Sequence, residues 1–450
     1  MNLYSSYYLL IAFVVAACLG YGLCVYLLPR LWPRHLAWVY TAPVGFGICS
    51  LIYVVFRRPM FTVEIALLIL SLAFLSQRFR LEELAPKSWT PTLLGVLFCG
   101  ALAFALPALL TRIDRIPHGN WDGWAIWNTH ARLLFRAGPE WKALARYTFH
   151  GDYPELTPAL TARFWRYVGD EVPEAGAFAG LILGLSAIAV LVASLSKLRD
   201  KRLAIVMGLV LLGTPKYWNH ATSQYADLPL SAYFLVTLSL ICLHAQSEWK
   251  EKSILVLAGF TAGCAGWTKN EGLLFIATLC IVMSIPIVLK RAKLSEQLAP
   301  FAAGLALPLA VIIVFKLTVP VRNDLIESQN SVAAVQHLTD LSRYAFIASY
   351  FVRASITFGA WGIAPFIPLF LLIGARGIDR QILKNPGCRI AYMTLALVLA
   401  GYFVVYLNTP QDLRDHLESS FDRLAIHLWP SFLLLLGLCA KSERTTAAQQ

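Results

Sequence analysis

The residues with chemistry to offer begin at Asn120-Trp121-Asp122-Gly123-Trp124, the head of a long polar interval running from Thr111 to about Glu174. Asp114, Asp122, His130, Arg132, His150, Asp152 and Arg166 gather there between two strongly apolar segments. Such an interval, polar in an otherwise apolar chain, looks like the working face of a membrane enzyme. Trp124, Trp127, Ala131 and Leu134 recur at helical spacing while Asn128, Arg132 and Arg136 fall on another face, which predicts an amphipathic helix ended by Gly138-Pro139. Tryptophans on one side and arginines on the other fit a helix lying at the membrane surface. Asp122 heads that helix, either as a working carboxylate or as a cap for its free backbone N–H groups. A cap alone leaves the other polar groups of the interval without a reason.

Four further constellations carry chemistry-bearing side chains. His150-Gly151-Asp152-Tyr153-Pro154 is a turn ahead of a second amphipathic helix, in which Leu156, Leu160, Phe164 and Val168 lie opposite Thr161, Arg163 and Arg166. His150 and Asp152 act there on a substrate or satisfy backbone groups of the turn. Ser223-Gln224-Tyr225-Ala226-Asp227-Leu228-Pro229 sets a carboxylate at the start of an apolar helix, where Asp227 reads as a cap with Pro229 in the first turn. Alternatively Gln224 and Asp227 bind substrate. Thr268-Lys269-Asn270-Glu271-Gly272 wedges polar residues between two apolar helices, a costly placement that is paired or functional. Lys269 and Glu271 neutralise each other, or Lys269 forms a phosphate site at the N-terminus of the re-entering helix. In the last stretch, Asp412 to Pro430, a helix puts His416, Ser419, Ser420, Arg423 and His427 on one side. Arg423, charged at the mouth of a membrane helix, reads as functional; His427 reads as structural.

The elements that must position these groups are transmembrane helices. The chain is 450 residues long, 58% hydrophobic and only 14% charged, with a mean hydropathy of +0.62, which excludes a soluble globule. The net charge of +12 does not indicate nucleic acid, because the cations are dispersed among short loops. The nine cysteines show no disulfide framework and no metal-binding spacing. About thirteen apolar runs have the length for a span: Ser5 to Leu28, Leu36 to Phe56, Phe61 to Ser76, Pro91 to Leu110, Ala177 to Leu195, Leu203 to Thr214, Leu228 to Leu243, Ile254 to Trp267, Gly272 to Leu289, Phe301 to Val319, Ala345 to Ile373, Ala391 to Leu407 and Ala425 to Ala440. The first is too long for a signal-peptide core and is expected to be retained. Loops with Lys197 to Arg202, Lys250 and Lys252, Lys290 to Lys293, and Arg376 to Arg389 alternate with loops poor in lysine and arginine, which places the former in the cytoplasm. Every polar constellation then falls on the opposite, outer face. The pair Arg57-Arg58 falls there too, against the rule.

This pattern resembles the integral-membrane glycosyltransferases of the GT-C class. The resemblance rests on the aspartate ahead of an amphipathic helix in a large outer loop, the His-Gly-Asp-Tyr-Pro turn, the Ala-Asp-Leu-Pro helix start, the Lys-Asn-Glu-Gly junction and the terminal Ser-Ser-Phe-Asp-Arg-Leu box, covering about Asp114 to Pro430. It is nearest to bacterial enzymes using polyprenyl-phosphate sugars, of the protein mannosyltransferase and lipid A aminoarabinose transferase kind. The departures are four apolar runs ahead of the loop and Gly123 where the family often has a second acidic residue. The resemblance implies an all-α polytopic bundle divided into N-terminal helices (1–111), an outer catalytic loop (112–175), central helices (176–319) and C-terminal helices with a donor-binding loop (320–450). It implies a catalytic carboxylate, Asp122 first, with Asp114, Asp152 and His150 behind it. Lys269, Arg423, Glu271, His416 and Arg132 would surround the donor phosphate, and Tyr153, Gln224 and Asp227 other parts of the substrate. The chemistry requires no metal and does not exclude a divalent one. Implied partners are a polyprenyl-phosphate sugar, a lipid, glycan or protein acceptor and membrane lipid, with the site on the periplasmic face of a bacterial inner membrane. A lipid-linked polysaccharide polymerase or ligase would rely on outer-loop arginines and histidines rather than a carboxylate base. A lipid or solute transporter would show charges at helix centres or matching halves, and no such repeat is present.

Overall fold

The computed structural model describes residues 3–29, 34–78, 92–247, 250–290, 293–321, 331–361 and 366–442. Four helices precede the large loop: α1 (Leu3–Leu27), α2 (Arg34–Phe56), α3 (Met60–Arg78) and α4 (Leu93–Arg115). Within the loop lie α5 (Asn128–Arg136), the single turn α6 (Trp141–Leu144) and α7 (Leu156–Val168). Then follow α8 (Ala175–Leu198), α9 (Lys201–Leu212), α10 (Pro215–Thr222), α11 (Asp227–Gln246), α12 (Lys252–Thr268), α13 (Asn270–Val288) and α14 (Leu298–Thr318). The C-terminal part holds α15 (Ser331–Thr339), α16 (Leu341–Thr357), α17 (Phe366–Arg376), α18 (Pro386–Leu407) and α19 (Leu413–Cys439).

The fold is an all-helical membrane bundle. Among the described residues nine helices are long and apolar enough to cross a membrane, fewer than the thirteen apolar runs, because α3, α9, α12 and α17 are too short or insufficiently apolar over a full span. The run from Ala345 to Ile373 becomes two helices, α16 and α17. Residues 362–365 between them, Pro91, Arg291 and residues 322–330 of the Pro320–Arg343 interval lie outside the described residues.

Helix α11 is apolar all round and is the centre of the bundle, its span wholly buried against α8, α12, α18 and α19. It starts at Asp227, so the first turn of the innermost helix presents a carboxylate to one end of the bundle. The other end gathers the basic loops: Arg199 pairs with Asp379 at 2.8 Å and Arg376 with Asp200 at 2.8 Å, beside the C-terminus of α19. The 27 residues of α19 put about 40 Å between the two ends.

The loop helices depart from the expected surface arrangement. A π-helical turn over Gly123–Trp127 precedes α5 and adds a residue to the helical phase. Trp124 is therefore exposed and Asn128, expected beside Arg132, is buried. Helix α7 is enclosed rather than interfacial, with Leu156 through Trp165 buried on all sides. It tolerates burial of Arg163 because Glu64 of α3 receives the guanidinium through Nε at 2.6 Å and Nη2 at 3.1 Å, while Nη1 donates to the Ala12 carbonyl at 3.0 Å. Tyr167 donates to the same carboxylate.

Candidate active site

The site forms where five chain segments meet at the Asp227 end of α11. The carboxylate of Asp227 is fully buried and makes no capping bond to its own helix. Its Oδ1 accepts from Lys269 Nζ at 2.8 Å and from His427 Nε2 at 2.8 Å, and its Oδ2 accepts from Arg423 Nε at 3.0 Å. Since His427 Nε2 donates to Asp227, its Nδ1 accepts from the Tyr402 hydroxyl at 3.0 Å. Arg423 reaches on through Nη1 to Asp122 Oδ2 at 2.6 Å, and Lys269 to Glu271 Oε1 at 2.7 Å. Asp227 is thus the hub that sets both cations, a role beyond the capping expected of it.

Local sequence explains how Lys269 arrives there. It is the single extended residue between α12 and α13, at φ −162° and ψ 157°, so the chain reverses on one side chain. Gly272 permits the reversal: a Cβ there would sit 2.0 Å from the Ala265 carbonyl oxygen. Arg423 and His427 are one turn apart on α19, and His416, Ser419 and Ser420 lie along the same side. His220 of α10 stands 3.9 Å from Asp227, and burial holds its pKa down to about 4, outweighing the attraction of Asp227.

These groups wall a cavity of about 400 Å³ lined by His150, Tyr153, Lys269, Asn270, Glu271, Tyr402, Gln411, His416, Ser419, Ser420 and Arg423. A second, apolar cavity of about 450 Å³ adjoins it, lined by Phe351, Phe358, Phe366, Leu428, Trp429 and Phe432. Tyr402 and Leu424 border both. The floor on the loop side is Tyr153, stacked between His150 at 4.7 Å and Trp127 at 5.6 Å, with Lys269 Nζ over its ring at 6.0 Å. Burial raises the Tyr153 phenol above its ordinary range, so it stays protonated. His150 holds its place with a left-handed backbone, φ 51°.

The remaining expected residues are distributed as follows. Asp122 meets the cluster through Arg423, does not line the cavity, and makes no capping bond. Asp152 is buried and positions its neighbours: its Oδ2 accepts from Asn270 Nδ2 at 2.8 Å, and Lys316 Nζ donates to the Asp152 carbonyl at 2.5 Å and to Asn270 Oδ1 at 2.8 Å. Gln224 faces away from the cavity, its amide donating to the Pro117 and Pro173 carbonyls and accepting from Asn128 at 2.9 Å. It ties the loop to the bundle instead of binding in the cavity. Gly123 belongs to the same seam, because a Cβ there would meet the Ser223 carbonyl at 2.5 Å. Arg132 pairs with Glu171 at 3.2 Å and Asp114 sits exposed in the last turn of α4; neither lines the cavity. Trp127 and Trp165 are buried core residues, whereas Trp121 and Trp124 are exposed.

Sequence reasoning missed Tyr402, Gln411 and Lys316. Lys316 had a signal, a lone cation in the apolar run of α14. It also missed the buried pair of His130 with Glu155, Nδ1 to Oε1 at 3.0 Å, whose other ring nitrogen lies 3.0 Å from the Phe149 carbonyl. Acceptors at both ring nitrogens fit an imidazolium, and the Thr148 hydroxyl also lies 3.1 Å from Nε2. Burial alone would lower the His130 pKa, yet the charge and hydrogen bond of Glu155, with the Phe149 carbonyl, raise it on balance.

Among the described residues no group of three or more His, Cys, Asp or Glu side chains is disposed to hold a metal ion. No protein-family model and no curated relative matches the chain. Among solved structures, ArnT from Cupriavidus metallidurans in the apo state, a GT-C aminoarabinose transferase, aligns with a TM-score of 0.50 at 18% identity. The likeness is one of fold. The alignment covers 79% of this chain and 61% of ArnT, so the chain spans less than two thirds of that protein's length.

Proposed function

We propose that this chain is a membrane glycosyltransferase that moves a sugar from a polyprenyl-phosphate donor to a hydroxyl acceptor at the non-cytoplasmic face. One observation carries the reading: a polar cavity holding Lys269 and Arg423 adjoins an apolar cavity, with Tyr402 and Leu424 in the walls of both. A prenyl-phosphate sugar has that division, a charged head on a hydrocarbon tail. The GT-C-like fold agrees with it.

In this reading the donor phosphate lies against Lys269 and Arg423, which stabilise the charge that grows on it as the glycosidic bond breaks. Asp227 aims both cations, and His427 and Tyr402 fix Asp227 in turn. Asp122, with its side chain 14% exposed beside Arg423, takes the proton of the acceptor hydroxyl. Tyr153 and His150 form the wall against which the sugar rests.

The test is transfer by the purified protein from a panel of polyprenyl-phosphate sugars, comparing wild type with Asp122→Asn. Asparagine still accepts from Arg423 but is no base, so transfer is expected to vanish while the unfolding temperature in detergent stays within a few degrees. An active Asp122→Asn protein would move the base to Glu271, the carboxylate lining the cavity. No transfer from any donor by the wild type would sink the proposal.

A further inference from the structure

The polar cavity is not the only recess with cations in its wall at this end of the bundle. A separate cavity of about 730 Å³ lies between the α2–α3 turn and the C-terminus of α5, lined by Tyr53, Arg57, Arg58, Phe61, Arg136 and Arg166, with Met60, Leu134 and Gly138. Four arginines contribute to its wall, and the described lining contains no carboxylate. Counter-charges lie behind it: Glu171 is bound by Arg136 and also by Arg132 at 3.2 Å, Asp170 attracts Arg136, and Glu155, itself paired with His130, attracts Arg57. The recess is therefore left with an excess of positive charge.

Part of this arrangement is structural. Arg57 Nη2 donates to the Leu134 carbonyl at 2.8 Å and Arg166 Nη2 to the Phe135 carbonyl at 2.7 Å, satisfying groups freed at the end of α5. Capping leaves much unexplained. Arg57 Nη1 is buried with no hydrogen-bond partner among the described residues. Arg57 also occupies a left-handed position, φ 26°, where glycine is the usual choice. Its backbone N–H closes α2 on the Tyr53 carbonyl at 3.0 Å, so any residue would serve that bond; the strain is borne by an arginine. Arg57 and Arg58 are moreover the pair that contradicts the charge bias of the other loops, standing at the end opposite Arg199 and Arg376.

Beside the arginines the surface is apolar. Phe61 lines the cavity and is 41% exposed, and Val55 and Phe56 next to it are exposed as well. A recess with a cationic floor and an apolar lip fits an amphiphile with an anionic head, and the forked donors of arginine match phosphate oxygens better than single carboxylates of this spacing require.

We infer that the Arg57, Arg58, Arg136 and Arg166 recess is a phosphate-binding site, distinct from the polar cavity, for the headgroup of an anionic lipid. The same chemistry would admit free phosphate, and the two sources are separated by the test. Full-length protein in nanodiscs of phosphatidylcholine is titrated with dioctanoyl phosphatidic acid and, separately, with inorganic phosphate, at low and high salt. The short lipid is expected to bind saturably, more weakly at high salt, and at least tenfold more weakly in Arg58→Glu and in Arg58→Gln/Arg166→Gln, while Lys269→Ala binds as wild type. Arg58→Glu changes an exposed side chain, so its unfolding temperature should match wild type and show that the loss is local. If inorganic phosphate saturates the site with the same arginine dependence, the site stands and its occupant is a soluble phosphate. No saturable binding of either probe, binding that the arginine variants leave intact, or binding lost in Lys269→Ala instead would each overturn the inference.

Discussion

Arg423→Lys keeps the charge and removes the fork, which makes it the sharpest probe of the cluster. Arg423 uses Nε on Asp227 at 3.0 Å and Nη1 on Asp122 at 2.6 Å, two donors in a fixed plane serving carboxylates on different segments. A lysine ammonium is a point on a flexible stem and does not reproduce that plane. One of the two charge-assisted bonds is lost, at a cost of about 1.5–3 kcal/mol. If the bond matters in the transition state, kcat/KM falls about ten- to 150-fold. The assay is initial rate against polyprenyl-phosphate sugar concentration, with Arg423→Ala beside it. A lowered kcat would mean that the fork aligns groups for chemistry; a raised KM alone would mean that it serves donor binding. Arg423→Lys within about twofold of wild type in both would refute the bridging role, because a charge in roughly the right place would then suffice.

Asp227→Asn removes the buried counter-charge of Lys269 and Arg423 and is expected to destabilise the fold by about 3–5 kcal/mol, read as denaturant unfolding in detergent; unchanged stability would show that Asp122 and Glu271 take over the role. For His130 the folded pKa is raised, so its contribution to stability is full below its ordinary value near 6.5 and is lost as pH rises through the folded value. The unfolding temperature of the wild type should therefore fall with rising pH relative to His130→Gln, and parallel curves would refute an imidazolium. Single cysteines at Asn120 and Glu418 should react with an impermeant thiol reagent from the same side, and those at Lys201 and Arg380 from the other; mixed labelling would break the two-ended arrangement.

Much of the site was legible because polar groups at membrane depth stand out against an apolar background. Lys269, Glu271 and Arg423 were conspicuous for that reason, and helical spacing alone aligned His416, Ser419, Ser420 and Arg423 on α19. What spacing does not contain is the partner of each group. Asp227 read as a cap because it precedes an apolar helix, and only the packing of α11 against α19 reveals Arg423 and His427 on its oxygens. Asn128 was assigned outward because a π turn changes the phase of α5, and a single π turn has no signature in composition. Tyr402 sits in an ordinary apolar helix, and nothing in its neighbours distinguishes it from a core aromatic. Gln224 shows the converse, a polar residue in a motif-like loop whose amide is consumed by carbonyls of two other loops.

The charges of the cluster set how an anion can enter it. Asp122, Asp227 and Glu271 are three carboxylates against the two cations Lys269 and Arg423, so the cluster carries one negative charge in excess while His427 is neutral. A phosphate can approach the cations only by competing with carboxylates already on them. Asp227 is not displaceable, being 0% exposed and held by three donors. Asp122 and Glu271 are, because their side chains retain 14% and 21% exposure and each is held by one cation, Arg423 and Lys269 respectively, among the described residues. The division follows from burial: the enclosed carboxylate keeps the cations in place, and the two at the rim hold their charge until an anion replaces them. A carboxylate displaced from Arg423 has an oxygen freed to accept a hydrogen bond from an acceptor hydroxyl as the donor binds. Asp122 is the carboxylate that Arg423 holds, so in the proposed mechanism one arginine would bind the phosphate and leave a base beside it.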